Sequence, residues 1–138
     1  MTDVHDKKTR SYNMSRIRSK DTKPEILVRK FLFRKGFRYK LHDRALPGTP
    51  DLVFPKYKTV VFIHGCFWHG HEGCEYFVIP HTRREWWIDK INRNKQVDAE
   101  STRKLSTLGW KIITIFECSL RPKNREKTLS QLESELIK

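Results

Sequence analysis

The chain has 138 residues, enough for one domain around a single core. Hydrophobic residues make up 37% of it, and no apolar run approaches the roughly 18 residues of a membrane-spanning helix. The formal net charge is +13, and three cysteines, an odd number, argue against a disulfide scaffold and for metal ligation or buried thiols.

The charge is uneven. Residues 1–44 carry 14 Lys and Arg against 5 Asp and Glu, and residues 45–138 carry 15 against 11. A basic arm on a basic domain suits a polyanion, most simply nucleic acid. The plainer reading of the same charge is a solvated basic surface. No secretory pattern opens the sequence and no amphipathic membrane anchor is evident, so a cytoplasmic location is expected.

Residues 1–20 are polar and basic, with Val4, Met14 and Ile17 as the apolar contacts, and read as an arm that reaches around DNA. Residues 21–138 read as one domain. Thr22-Lys23-Pro24-Glu25 has the form of a capping box, in which Thr22 accepts from the backbone of Glu25 and Glu25 returns the bond. The helix it starts has Leu27, Val28, Phe31 and Leu32 on its apolar face and stops near Gly36. Residues 36–42 alternate apolar and polar, as a strand does. After a Pro-Gly-Thr-Pro turn at 47–50, residues 51–54 and 59–63 form a β-rich pair. Read as a hairpin, they deliver Asp51 and His64 to neighbouring strand ends.

Thr82-Arg83-Arg84-Glu85 resembles a second capping box. It leads into a helix with Trp87, Ile88 and Ile91 on one face and either Trp86 or Trp87 exposed. The pattern continues through Val97, Leu105 and Leu108 to Gly109. Residues 110–116 have the composition of a buried strand, and residues 126–137 form a short amphipathic helix on Leu129, Leu132 and Leu136. The order predicts an α/β fold, a central mixed sheet flanked by helices.

The chemistry concentrates between Asp51 and Cys74, with Cys118 added from afar. Cys66, His71, Cys74 and Cys118 supply three thiols and one imidazole, the donor set of a closed, structural Zn²⁺ site. His69 competes with His71 for the fourth position. The plainer reading, three buried free thiols, fits poorly with the polar His-Gly-His-Glu-Gly loop between them. Asp51 suits a hard cation such as Mg²⁺, to which the main-chain carbonyl of Ile63 can add an oxygen. His64 and His69 lie close enough in sequence to take a proton from a metal-positioned water. A single histidine here would more simply cap a strand end.

At these residues the chain resembles the very short patch repair (Vsr) endonuclease family. The resemblance runs from about Asp3 to Leu120. It rests on Asp3-Val4-His5-Asp6, Arg10-Ser11, Asn13-Met14, Asp21-Thr22, Leu46-Pro47-Gly48 and Pro50-Asp51. Above all it rests on His64-Gly65-Cys66-Phe67-Trp68-His69, followed by Thr82-Arg83, Trp87, Lys90-Ile91, Asn94, Leu108-Gly109-Trp110 and Glu117-Cys118.

The resemblance implies a restriction-endonuclease-like fold and Mg²⁺-dependent nicking of duplex DNA. The cut falls 5′ of the thymine in a T·G mismatch, the product of 5-methylcytosine deamination. By motif, Asp51 and the Ile63 carbonyl bind Mg²⁺, His69 is the general base, and His64 and Glu25 support the metal-bound waters. Cys66, His71, Cys74 and Cys118 match the zinc ligands. Phe67, Trp68 and Trp87 match an aromatic wedge that enters the base stack, and Met14 and Asn94 join them at the DNA. The chain departs from the family pattern at Ile63, where Thr is expected, and at Trp86, where Phe is expected.

The implied protein is a monomer acting on mismatched duplex DNA, with mismatch-repair and repair-polymerase proteins as further partners. Two other functions fit the residues: a restriction-like enzyme cutting both strands, and a zinc-stabilised DNA-binding module without chemistry.

Overall fold

The computed structural model describes residues 21–138. The arm expected at 1–20, with Met14, lies outside the described residues. The elements in order are α1 (Lys23–Arg34), β1 (Lys40–Leu41), β2 (Leu52–Phe54), a 3₁₀ turn (Pro55–Tyr57), β3 (Thr59–His64), α2 (Arg84–Thr107), β4 (Lys111–Phe116), a second 3₁₀ turn (Glu117–Leu120) and α3 (Arg125–Ile137). Among the described residues no helix is long and apolar enough to cross a membrane.

The sheet runs β1-β2-β3-β4. The first three strands are antiparallel neighbours, and β4 lies parallel to β3 with Val61 opposite Ile113 and His64 opposite Phe116. A parallel pair needs a crossover, which α2 supplies. The fold is therefore the expected α/β arrangement around a mixed sheet.

Side-chain alternation sorts the core. Leu52, Phe54 and Val61 face α1 and α3, where they meet Val28, Leu32, Leu129, Leu132 and Leu136. Val53, Val60 and Phe62 face the other way and meet Leu105 of α2. With both faces covered, β2 and β3 have no polar face, which is why their sequences are unbroken apolar runs.

Four local expectations need correction. The strand expected at 36–42 shrinks to two residues. β2 offers only three residues to pair with, and His42 turns away with φ 47 after its N–H bonds Asp51 O. β4 is an edge strand, half-buried rather than buried, with Ile115 alone fully covered. Thr82 caps nothing: α2 starts at Arg84, with Arg83 left-handed at φ 57 and no side-chain cap bond. Finally, the inward stripe of α2 is not Val97 and Leu108, which are 60% and 56% exposed. It runs through Ile91, Asp98 and Leu105, spaced by seven.

The capping box of α1 forms by half. Thr22 Oγ1 accepts from Glu25 N at 3.4 Å, but the Glu25 carboxylate turns to Arg29 and His42 instead.

Candidate active site and metal centre

Because β3 and β4 are parallel, both end at the same edge of the sheet, and β2 begins there. That edge opens into a cleft of about 1180 Å³ lined by Glu25, His42, Asp51, His64, His69 and Asp98, among others. α1 forms one wall and α2 the other.

On the α1 side stand two carboxylates. Asp51 Oδ2 accepts from Ile63 N at 2.7 Å, which fixes the side chain against the end of β3. Burial pushes the Asp51 carboxyl up to about 6; the Ile63 amide pulls it down, and the neighbouring charge of Glu25 raises it further. Glu25 is only 1% exposed. Its oxygens accept from Arg29 Nη1 at 2.8 Å and sit 2.9 Å from His42 Nε2. Ile63, expected to offer its carbonyl, is thus placed beside Asp51 through its N–H.

On the α2 side, His64 and His69 stack with ring centroids 3.7 Å apart and planes at 4°. His69 Nδ1 lies 2.7 Å from Asp98 Oδ2. An Asp98 carboxylate accepts from Nδ1–H and so leaves Nε2 as the nitrogen with a free lone pair. Burial first, then the field of His69, holds His64 down at about 4, so its ring is neutral at pH 7.

Behind these rings lies the cysteine cluster. The ligand atoms of Cys66, His71, Cys74 and Cys118 lie within 4.8 Å of one another and could hold a metal ion. Cys118 Sγ is 3.4 Å from His71 Nδ1. That compares with the edge of about 3.5 Å that a tetrahedron with Zn–S of about 2.3 Å and Zn–N near 2.0 Å would have. The His71 ring is stacked on Phe116 at 3.9 Å, which fixes its direction. Of the two histidines, His71 lies with the cysteines, and His69 turns to Asp98. Without a cation, burial pushes the Cys66 thiol up to about 12.

The expected wedge residues pack on one another, with Phe67 and Trp68 lining the cleft. Phe67 lies 5.3 Å from Trp68 and 5.3 Å from Trp87 between ring centroids, and Trp68 lies 5.7 Å from Trp87. Trp86 is the exposed member of its pair, with Arg83 over its ring. Asn94 Nδ2 donates to Trp68 O at 2.8 Å, so it holds the loop that carries the aromatics.

Two site residues escaped the sequence reading, Asp98 and His42. Asp98 had a signal: a carboxylate halfway between Ile91 and Leu105 on the buried stripe of a helix is out of place in a core. His42 had none, since the turn that aims it depends on where β1 stops pairing.

A family model described as DNA mismatch endonuclease Vsr matches residues 2–75. The chain is 42% identical over 137 residues to the DNA mismatch endonuclease Vsr of Escherichia coli (strain K12), a match spanning 99% of this chain and 86% of that protein. It is 49% identical over 123 residues to the type II nicking enzyme V.NmeAIP of Neisseria meningitidis serogroup A, across 89% and 87% of the two chains. It is 43% identical over 120 residues to the type II nicking enzyme V.XorIIP of Xanthomonas oryzae pv. oryzae, across 87% and 88%.

Proposed function

Since this chain belongs to the Vsr family of DNA mismatch endonucleases and is on that ground a DNA-nicking endonuclease, we propose that it nicks duplex DNA 5′ of the thymine in a T·G mismatch by Mg²⁺-dependent hydrolysis. The observation that carries the reading is the cleft itself. It sets the buried Glu25 and the mostly buried Asp51 opposite an Asp98-held His69, with Phe67 and Trp68 among the lining side chains. The N-terminal arm, the restriction-like character of the fold and the flanking partners belong to the same proposal.

A buried carboxylate pair fits a hard divalent cation better than it fits water. Asp51 and the Ile63 carbonyl would hold Mg²⁺, with Glu25 on its water shell. Bound there, the ion would supply charge neutralisation on the scissile phosphate and a more acidic water. His69 is placed to accept a proton from a water in the cleft on Nε2, and Asp98 to stabilise the imidazolium that would result. His64, neutral, covers one face of His69 without adding charge. Cys66, His71, Cys74 and Cys118 suit Zn²⁺ in a closed site, which would tie the ends of β3 and β4 and the loop between β3 and α2 into one unit.

Phe67, Trp68 and Trp87 supply the discrimination. Inserting a side chain into a base step costs a few kcal/mol, and stacking on a base returns about 1–3 kcal/mol. A wobble pair yields more easily than a Watson–Crick pair, so the wedge selects by deformability. Phe67→Ala with Trp68→Ala should therefore weaken binding to a T·G duplex by about tenfold or more, while matched-duplex binding, carried by the basic surface, changes little. Equal losses in a gel-shift or anisotropy titration would make the aromatics packing residues only.

The raised Asp51 carboxyl gives a pH prediction. A cation at Asp51 must displace a proton whenever the pH is near or below about 6, so Mg²⁺ affinity should fall as pH drops through that value, with up to one proton released per ion. The same shift acts on stability: the contribution of protonated Asp51 is complete below about pH 4 and lost as pH rises through about 6. Calorimetric titrations in two buffers of different ionisation heat count the proton. Affinity that stays flat between pH 5 and pH 8 would remove Asp51 from the ligand set.

The function is tested on a panel of duplexes carrying T·G, the other mismatches and matched pairs, with and without Mg²⁺. A single nick 5′ of the mismatched thymine is expected. Cleavage of both strands of a matched duplex would favour the restriction-like alternative, and binding without cleavage the DNA-binding module.

A further inference from the structure

Glu25 is the most buried acidic side chain described, and nothing in a helix cap requires it to be. Its carboxylate is instead gripped from two sides. Arg29, one turn along α1, donates Nη1 to Oε2 at 2.8 Å and is itself tied to Asp21 at 2.7 Å. His42 brings Nε2 to 2.9 Å from both Glu25 oxygens and to 4.0 Å from Asp51 Oδ1. An imidazole N–H that faces two carboxylate oxygens equally fixes the plane of that carboxylate, and it borders both acids of the cleft, which also touch each other.

The backbone points the same way. His42 is left-handed at φ 47, as are Asp21 at φ 57 and Thr49 at φ 47. Histidine and aspartate adopt this region more readily than most residues, but it still costs free energy, and such positions concentrate where a side chain must be aimed. At His42 the left-handed turn ends β1 just after the His42 N–H bonds Asp51 O, so one residue closes the sheet edge and directs its ring at Glu25.

We propose that His42, with Arg29, is a positioning residue of the catalytic metal centre: it orients the buried Glu25 carboxylate toward the water shell of the ion held at Asp51, and so sets the divalent-cation requirement of the enzyme. The inference rests on the reading above that Glu25 serves that shell. Removing a side chain that orients a metal-site group typically costs 10–100-fold in metal affinity or activity.

The test compares His42→Leu, His42→Gln and Glu25→Gln in the full chain, each checked for parental melting behaviour. Nicking of a T·G duplex is measured against Mg²⁺ concentration, and Mn²⁺ binding by electron paramagnetic resonance. His42→Leu fills the space but donates nothing; its half-saturating Mg²⁺ should rise about 10–100-fold, with Mn²⁺ affinity falling in parallel. His42→Gln restores a donor and should return both to within a few-fold of the parent, a rescue that a packing role would not give. Should His42→Leu fail to fold, Arg29→Met probes the other half of the grip with the same expected direction. Parental cation dependence in the folded His42→Leu, or failing that in Arg29→Met, overturns the proposal while Glu25→Gln is impaired. Parental cation dependence in Glu25→Gln overturns the place of Glu25 at the metal, and the proposal with it.

Discussion

Cys118→Ala should strip the bound ion from the cysteine cluster and leave the protein unable to hold its fold at 37 °C. Cys118 stands just past the end of β4 and Cys66 just past the end of β3, so the cluster joins the one parallel strand pair among the described residues at its exit edge. Residues 65–83 contain no strand or helix, yet they carry Phe67, Trp68 and His69. A stretch of that length without regular structure is uncommon unless something else orders it. A metal ion held by His71 and Cys74 with the two other cysteines would supply the tie.

The thermodynamics run in the same direction. A buried Cys66 thiol pushed up to about 12 does not ionise unaided near neutral pH, whereas a coordinated one is a thiolate. Structural zinc in small peptides is worth about 10–16 kcal/mol, comparable with the roughly 5–15 kcal/mol that holds a whole domain. Loss of even a third of that would leave little net stability. Elemental analysis should find one zinc per parent chain and none in the variant, and the variant should melt far below the parent or not cooperatively. A parent purified without chelators that contains no zinc would overturn the assignment.

The residues legible in the sequence are those whose local pattern decides their structure. The i+4 repeats at Leu27–Phe31 and Val28–Leu32, the apolar runs of β2 and β3 and the leucines of α3 all landed where periodicity put them. So did the cysteine cluster, because four soft donors in one chain have few other uses. What was hidden depends on tertiary placement. Val97 looked like the inward residue of α2 because it is apolar. The helix instead turns Asp98 inward, 2.7 Å from His69 Nδ1, and leaves Val97 exposed. Thr82 has the right type for a cap but lies one residue before the left-handed Arg83 that starts the helix. Glu25 satisfied a capping pattern, and its true partners, Arg29 and His42, come from the next turn of α1 and from the residue just past β1. At Asp98 and Glu25 a contact within the cleft overrides a local rule, as expected where function sits.

His69→Ala should lower nicking at neutral pH by about 10²–10⁴-fold, the usual worth of general-base catalysis, while the cysteine-bound ion, Mn²⁺ binding and DNA affinity survive. What remains should rise with pH as hydroxide replaces the water that no longer has a proton acceptor. Asp98→Asn probes the same step from behind. The amide can present its oxygen to Nδ1–H or, flipped, its NH₂ group; the flipped form puts the proton on Nε2 and removes the base. It also no longer offset the charge of the imidazolium. In a buried triad the equivalent change costs about 10⁴-fold. Here His69 and Asp98 are about 30% exposed, water can share the work, and a smaller loss is expected, carried in the single-turnover rate and not in DNA binding. Full activity in His69→Ala at neutral pH would sink the mechanism. A dead His69→Ala beside a fully active Asp98→Asn would leave His69 as the base and show that the carboxylate behind it is a packing contact.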